Sequence, residues 1–239
     1  MTRERPYTPA WWRARAIRRI HDGIAWYLPR AVSRALRRDL AGVWGVAEAP
    51  LPDGGAVVVA NHHSWWDGYL AWLLARRHGR PFAVLVDEAT LIRYPFFRPL
   101  GALATSELRT AVRRAAAGAW LFVFPEGRLL APGAPAPFAP GAAAIARLAQ
   151  VPVVPCAWRV VVRGAQYPEV YVRSGAALPR SAQPDEQRAA VAVLLARIEG
   201  DLACADDAEA PLPGYASWHP GRRSTQARLA RWGRWWGGA

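Results

Sequence analysis

The sequence predicts an α/β domain, a mixed and mostly parallel sheet flanked by helices. Three observations predict it. Helical and extended segments alternate along the chain. The 239 residues are enough for one sizeable core with a small appendage. Hydrophobic residues make up 52% of the chain, which argues against a disordered polymer.

The elements follow in order. Residues 10–28 read as an amphipathic helix, because Ile17, Ile20, Ile24, Tyr27 and Leu28 recur at three- and four-residue steps. Trp11, Trp12 and Trp26 add amphipathic rings, and residues 30–40 form a second, basic helical stretch after Pro29. Together they make a helical hairpin fit to lie in a membrane interface or, equally, to pack on the domain with a solvated basic face. Pro50, Pro52, Gly54 and Gly55 punctuate the chain before the apolar run 56–60, which suits a buried strand. A helix over 67–78, a strand over 82–86, a helix over 107–118 and a strand over 119–124 follow. The Pro/Ala/Gly-rich segment 131–140 reads as a loop placed to move over a site. Residues 141–149 are helical, and 151–155 are an apolar strand whose prolines suit an edge or strand end. A strand pair over 159–163 and 170–173 and a helix over 184–203 close the domain. The expected organisation is interface helices at 1–44, the α/β domain at 45–204 and a basic, Trp-bearing tail at 205–239.

The net charge is +13, and all 31 basic residues are arginine. Residues 1–40 hold ten arginines against three acids, and residues 219–239 hold five against none. A near-neutral body therefore carries two cationic ends, which seek an anionic membrane or a nucleic acid. Two cysteines, Cys156 and Cys204, are too few for a disulfide framework and lack metal spacing. No signal peptide and no run of about 18 apolar residues is visible. The expected location is the cytoplasmic face of a membrane, peripheral or monotopic, without a span.

The chemistry gathers in Asn61-His62-His63-Ser64-Trp65-Trp66-Asp67. A histidine directly after a buried strand sits where open α/β sheets place their sites. Its imidazole can take a proton from an alcohol. Asp67, five positions on, can reach back to the other ring nitrogen, fixing the tautomer and stabilising the imidazolium. Taken alone, the pair reads at least as well as a helix cap beside a satisfied polar histidine. Trp65 and Trp66 either line a channel or pack in the core, and packing suits at least one of them.

Three blocks in order change that balance. Asn61 to Asp67 resembles the His-x4-Asp motif of the glycerolipid acyltransferases, the 1-acyl-glycerol-3-phosphate acyltransferases and their relatives. Phe124-Pro125-Glu126-Gly127-Arg128 resembles that family's Phe-Pro-Glu-Gly block, and Val151-Pro152-Val153-Val154-Pro155 its late apolar-proline block. The resemblance covers roughly residues 45–180. It implies a glycerol-3-phosphate acyltransferase-like fold and direct transfer of a fatty acyl group from acyl-CoA or acyl-carrier protein onto a lysophospholipid or related hydroxylated lipid. His62 would be the general base and Asp67 its orienting partner, with Asn61, His63 and Ser64 supporting them. Glu126 and Gly127 would shape the acceptor site. No cofactor or metal is called for beyond the acyl thioester itself. Two departures bear on the acceptor. The usual threonine after Glu-Gly is missing, so Arg128 follows Gly127 at once. The segment from Gly101 to Ser106 lacks the arginine that relatives use on the acceptor phosphate. Arg98, Arg109 and Arg128 are the candidates to replace it, since arginine matches phosphate bidentately; each is equally readable as a solvated surface charge. An acceptor without phosphate, hydroxylated or glycosylated, is the alternative.

Two rivals remain at the level of sequence. A hydrolase would need a placed nucleophile, and no Gly-x-Ser-x-Gly elbow is present; Ser64 lies beside the pair. A non-catalytic polyanion-binding protein would use the two arginine- and tryptophan-bearing ends. The neutral body has no RNA-binding signature, so no nucleic acid is expected as a partner.

Overall fold

In the computed structural model the described residues are 23, 27–164, 166–205, 211–226, 228 and 229. Most of the predicted helix over 10–28 (10–22 and 24–26) and the tail tryptophans Trp232, Trp235 and Trp236 lie outside them.

Among the described residues the first element is helix α1 (27–39). It continues through β1 (Gly42–Ala47), β2 (Ala56–Ala60), α2 (Asp67–Arg77), β3 (Phe82–Val86), α3 (Glu88–Arg93), a 3-10 segment (Pro95–Leu100) and β4 (Ala102–Ala104). Then come α4 (Leu108–Ala116), β5 (Trp120–Val123), α5 (Gly141–Ala149), β6 (Val153–Val161), β7 (Glu169–Ser174), α6 (Pro184–Ala203) and β8 (Ala216–Pro220). The strands form one eight-stranded sheet in the order β4-β3-β5-β2-β6-β7-β1-β8. From β4 to β6 every neighbouring pair is parallel. Strand β7 runs against β6, β1 runs with β7, and β8 runs against β1. The fold is thus the mixed, mostly parallel sheet that the sequence predicts.

Strand alternation sorts the core into two layers. Ala56, Val58, Ala60, Phe122, Val154, Cys156 and Trp158 face α1 and α2. Val57, Val59, Leu121, Val123, Val153 and Ala157 face α4, α5 and α6. Both faces of β2 are covered, which is why its sequence is uninterruptedly apolar. Helix α6 starts where it does because Pro184 fits the first turn and Gln183 and Glu186 form a reciprocal capping box.

Three expectations are corrected. The boundaries at 44/45 and 204/205 do not separate independent pieces. Val32, Leu36 and Leu40 are buried against the sheet, β1 begins at Gly42, and β8 of the expected tail pairs with β1. Arg30, Arg34, Arg37 and Arg38 are exposed on α1, away from the buried Val32, Leu36 and Leu40. The strand that begins within Val151–Pro155, at Val153, is no edge, and Pro152 stands just before its start. The separate runs at 151–155 and 159–163 belong to one strand, β6, lying between β2 and β7. Pro155 is tolerated there because its carbonyl accepts from Gly175 N at 2.9 Å, just past the end of β7. Its missing N–H therefore faces a place where the ladder has already ended. Finally, the 131–140 loop is tied down. Ala136 N donates to Glu126, Ala139 N to the Pro125 carbonyl, and the buried Arg159 to the Gly133 carbonyl.

Candidate active site

The parallel strands β2 to β6 all end at one edge of the sheet, and His62 lies two residues past the end of β2. Asn61 begins the turn. Its side chain exchanges two hydrogen bonds with the Trp158 main chain, each 3.1 Å, so the loop leaves β2 clamped to β6. The rest of the loop folds back over Asp67, the first residue of α2.

Asp67 is fully buried and accepts five hydrogen bonds. Oδ2 takes His62 Nδ1 at 2.7 Å, His63 N at 2.9 Å and Ser64 N at 3.1 Å. Oδ1 takes Ser64 Oγ and Trp158 Nε1, both at 2.8 Å. A buried carboxylate needs such company, since an unpartnered one would cost several kcal/mol or more. Burial pushes the Asp67 pKa up, but the bonds from His62 and Ser64 outweigh it and hold the group below the ordinary carboxylate value. Its place in the first turn of α2 adds the helix dipole on the same side. Asp67 accepts from the loop that precedes the helix, and the residue at the cap position is Trp66, without a side-chain cap bond. The helix-cap reading of the pair therefore fails.

Because a carboxylate only accepts, the proton between the two side chains belongs to His62 Nδ1. That leaves Nε2 as the basic nitrogen, on a side chain 25% exposed. The ring stacks on Phe124 with centroids 4.5 Å apart. Its backbone is bracketed from the Phe-Pro-Glu-Gly segment. His62 N donates to Glu126 Oε2 at 2.6 Å, and the His62 carbonyl accepts from Leu130 N at 2.9 Å. The remaining Glu126 oxygen holds Ala136 N at 2.9 Å. Glu126 is thus a tie between the histidine and the following loop. Gly127 takes φ +70, a left-handed conformation that favours glycine and lets the chain reverse after Glu126.

His63 turns away from the pair. Asn61 Nδ2 donates to its Nδ1 at 2.8 Å, while Val160 N lies 3.3 Å from its Nε2. A neutral ring accepts at only one nitrogen, and the shorter contact takes that role. Burial lowers the His63 pKa more than Asp67 raises it. Ser64 Oγ donates to Asp67 rather than to His62, and accepts from Trp66 N at 3.1 Å. It is therefore not a nucleophile activated by His62, and the hydrolase reading loses its one nearby hydroxyl. Trp66 packs against the core beside Tyr69, whereas Trp65 is 71% exposed.

The predicted phosphate arginines are less gathered. Arg128 is exposed, directly after Gly127. Arg98 is paired with Glu107 at 2.8 Å, which ties the 3-10 segment to the turn after β4. Arg109 is exposed in the first turn of α4. Arg109 and Arg128 follow the ends of β4 and β5, Arg98 precedes β4 and reaches Glu107 beyond it, and of the three only Arg128 is next to a segment bonded to His62. Among the described residues no three His, Cys, Asp or Glu side chains gather as a metal would require.

The comparison with known proteins decides the family. The Acyltransferase family matches residues 45–159, a span that contains His62, Asp67, Glu126 and Trp158. By this match, residues 45–159 are an acyltransferase domain. This acyltransferase also shares its fold with a solved structure, the 1-acyl-sn-glycerophosphate (LPA) acyltransferase PlsC from Thermotoga maritima. The TM-score is 0.52 at 21% identity, over 82% of this chain and 84% of that one. No curated protein sequence matches the chain significantly. An acyltransferase domain at the centre of the chain speaks against the non-catalytic polyanion binder.

Sequence reasoning missed two residues that support the site, Trp158 and Phe124. Trp158 falls between the two runs read as separate strands. The alternation Val154, Cys156, Trp158 within one continuous strand would have placed it on the α2 face with Asp67.

Proposed function

We propose that this acyltransferase moves a fatty acyl group from an acyl-CoA or acyl-carrier-protein thioester onto the hydroxyl of a lysophospholipid or related lipid at a membrane surface. The observation that carries the reading is the 2.7 Å bond between His62 Nδ1 and a fully buried, multiply bonded Asp67 carboxylate. It leaves Nε2 as the only basic position of the pair. The acceptor O–H gives its proton to Nε2 as its oxygen attacks the thioester carbonyl, and a C–O bond forms. Asp67 stabilises the imidazolium. The tetrahedral oxyanion collapses, the C–S bond breaks, and the leaving thiolate takes the proton back from His62. No serine or cysteine intermediate is needed.

A phosphate-bearing acceptor is favoured by the fold shared with an LPA acyltransferase and by the exposed Arg128 beside the Glu126-Gly127 tie. The missing threonine and the commitment of Arg98 to Glu107 favour the alternative, an acceptor without phosphate.

The membrane as partner is supported by the edge around His62. Trp65 follows β2, Ile92 and Phe96 follow β3, and Leu129 follows β5; all four are exposed, Ile92 at 82%. Arg93, Arg98, Arg109 and Arg128 stand among them. Exposed apolar side chains interleaved with arginines suit an anionic bilayer, where rings and aliphatic groups enter the acyl boundary and guanidinium groups meet the headgroups. No helix among the described residues is long and apolar enough to cross a membrane.

The test is incubation of the purified protein with labelled acyl-CoA or acyl-carrier protein and a panel of lysophospholipid, glycosylated and hydroxylated acceptors, with products read by mass. A new ester on at least one lipid hydroxyl is expected. The absence of any ester product with either donor would overturn the reading.

A further inference from the structure

Four of the five hydrogen bonds on Asp67 come from its own loop: His62 Nδ1, His63 N, Ser64 N and Ser64 Oγ. The fifth comes from the indole Nε1 of Trp158, 91 residues away on β6. We propose that Trp158 is a positioning residue for acyl transfer, holding the Asp67 carboxylate so that Oδ2 stays aimed at His62 Nδ1. The proposal rests on the acyl-transfer reading above.

The geometry argues for this in three ways. First, a carboxylate can rotate about its Cβ–Cγ bond, and donors from its own loop alone would move with it. Trp158 Nε1 anchors Oδ1 to the sheet instead, and both partners are fully buried. With Oδ1 fixed, the direction of Oδ2 is fixed. Second, the same tryptophan anchors the loop's entry, since its main-chain N–H and C=O both bond to the Asn61 side chain. Third, its ring meets Phe124 edge-on at 5.9 Å, and Phe124 stacks on the His62 ring at 4.5 Å. One residue therefore sets the base's carboxylate, the base's loop and the face on which the base lies. A neutral N–H does this without cancelling the carboxylate's charge, as an arginine in that place would.

A control is built into the fold. Trp120 is equally buried on the same face of the sheet, but its Nε1 donates to the Gly54 carbonyl at 3.2 Å, in the turn before β2. Trp120→Phe removes a buried indole N–H of the same kind outside the site.

The experiment compares Trp158→Phe and Trp120→Phe with the wild-type protein in acyl transfer across pH. It also follows the His62 ring resonances by NMR titration without substrate. In Trp158→Phe, kcat is expected to fall about 10- to 100-fold, the loss that one hydrogen bond to a charged group implies, with KM for donor and acceptor little changed. The carboxylate that has lost a donor holds the His62 proton more tightly. The acid limb of the kcat/KM profile and the NMR midpoint of the pair should therefore move to higher pH together. The other charged groups around the pair, His63, Glu126 and Arg159, are unaltered in both variants. Trp120→Phe should leave kcat, the acid limb and the midpoint as they are. If Trp158→Phe does not fold, benzothienylalanine at position 158, which keeps the bicyclic ring and lacks the N–H, takes its place under the same criteria. An unmoved limb and midpoint in the position-158 variant, or an equal kcat loss in Trp120→Phe, would overturn the proposal. A wild-type protein that transfers no acyl group would sink the functional reading instead, and the NMR midpoint would still judge Trp158.

Discussion

The acids beside His62 and the acids on the antiparallel strands are held in opposite ways. On the parallel half, Asp67 is surrounded by neutral N–H and O–H donors, and Glu126 by two backbone amides. On the antiparallel half the partners are arginines. Glu169 of β7 is bonded by Arg163 at 2.8 Å and by Tyr171 OH at 2.9 Å. Arg173 joins Glu48 and Asp201 at 2.9 and 2.5 Å, with Tyr215 beside it, and Arg197 also reaches Glu48. Neutral donors stabilise a carboxylate without cancelling its charge, so Asp67 keeps a full negative field for the imidazolium beside it. Arginines cancel the charge and leave a clamp. There Tyr171 is pushed up to about 12, by burial first and then by Glu169, and it stays a neutral donor within that clamp. The difference separates the acid that faces His62 from the acids that hold β7, the end of β1 and α6 together.

The contrast is broken most sharply by two matched substitutions. Asp67→Asn should lower kcat/KM by roughly 10³- to 10⁴-fold, because the amide no longer fixes the His62 tautomer or balances its positive charge. Glu169→Gln should leave kcat near wild type in the folded fraction. It should lower unfolding stability by about 3 kcal/mol, since it removes the charge that balances the nearly buried Arg163 guanidinium. Denaturant melts and steady-state rates on both variants check the pair. A large activity loss in Glu169→Gln, or none in Asp67→Asn, would erase the distinction.

Smaller effects refine it. Arg109→Gln and Arg128→Gln, on the edge of the parallel half, should each weaken binding to anionic vesicles by about fivefold, or ~1 kcal/mol, with less effect as salt rises. Substitutions of Arg173 on the other half should not. Co-sedimentation with vesicles measures both, and equal binding to neutral vesicles would contradict the electrostatic part. The smallest effect concerns histidines. Burial lowers the pKa of His63, His78 and His219 from an ordinary value of 6.5. Between the folded value and 6.5 the unfolded chain binds more protons than the folded one, so stability climbs with pH through that window and levels above it. Melting temperature should rise by a few degrees from mildly acidic to neutral pH. His78→Gln, far from the pair in sequence, should flatten part of that rise.

The legible parts of the molecule were the local ones. His62, Asp67 and their shared loop lie within seven consecutive residues, so spacing alone could bring them together, and the structure does so at 2.7 Å. β2, β3, α5 and α6 stood out because their apolar patterns were clean and their ends punctuated. What escaped was non-local. Strand β1 carries Gly42 and Gly45, which weaken a strand signal. Gly45 is there because a Cβ would meet the Trp218 ring at 2.3 Å, a contact with β8 that sequence pattern does not reveal. Strand β4 has three residues, too few for a period. Pro155 looked like an edge marker because nothing in the sequence shows that β7 stops beside it. Trp158 looked like spacing between two strands, although it supplies the one bond to Asp67 from outside its loop.

The proposed chemistry turns on His62 Nε2 taking the proton of an attacking lipid hydroxyl. It is tested most directly by comparing wild-type and His62→Ala protein for transfer of a labelled acyl group from acyl-CoA to the acceptor that the wild type prefers, beside their circular dichroism spectra and vesicle binding. The expected result is a rate lower by at least about 10³-fold, with the spectrum and vesicle binding retained. Transfer at the wild-type rate by a folded His62→Ala protein would contradict the account.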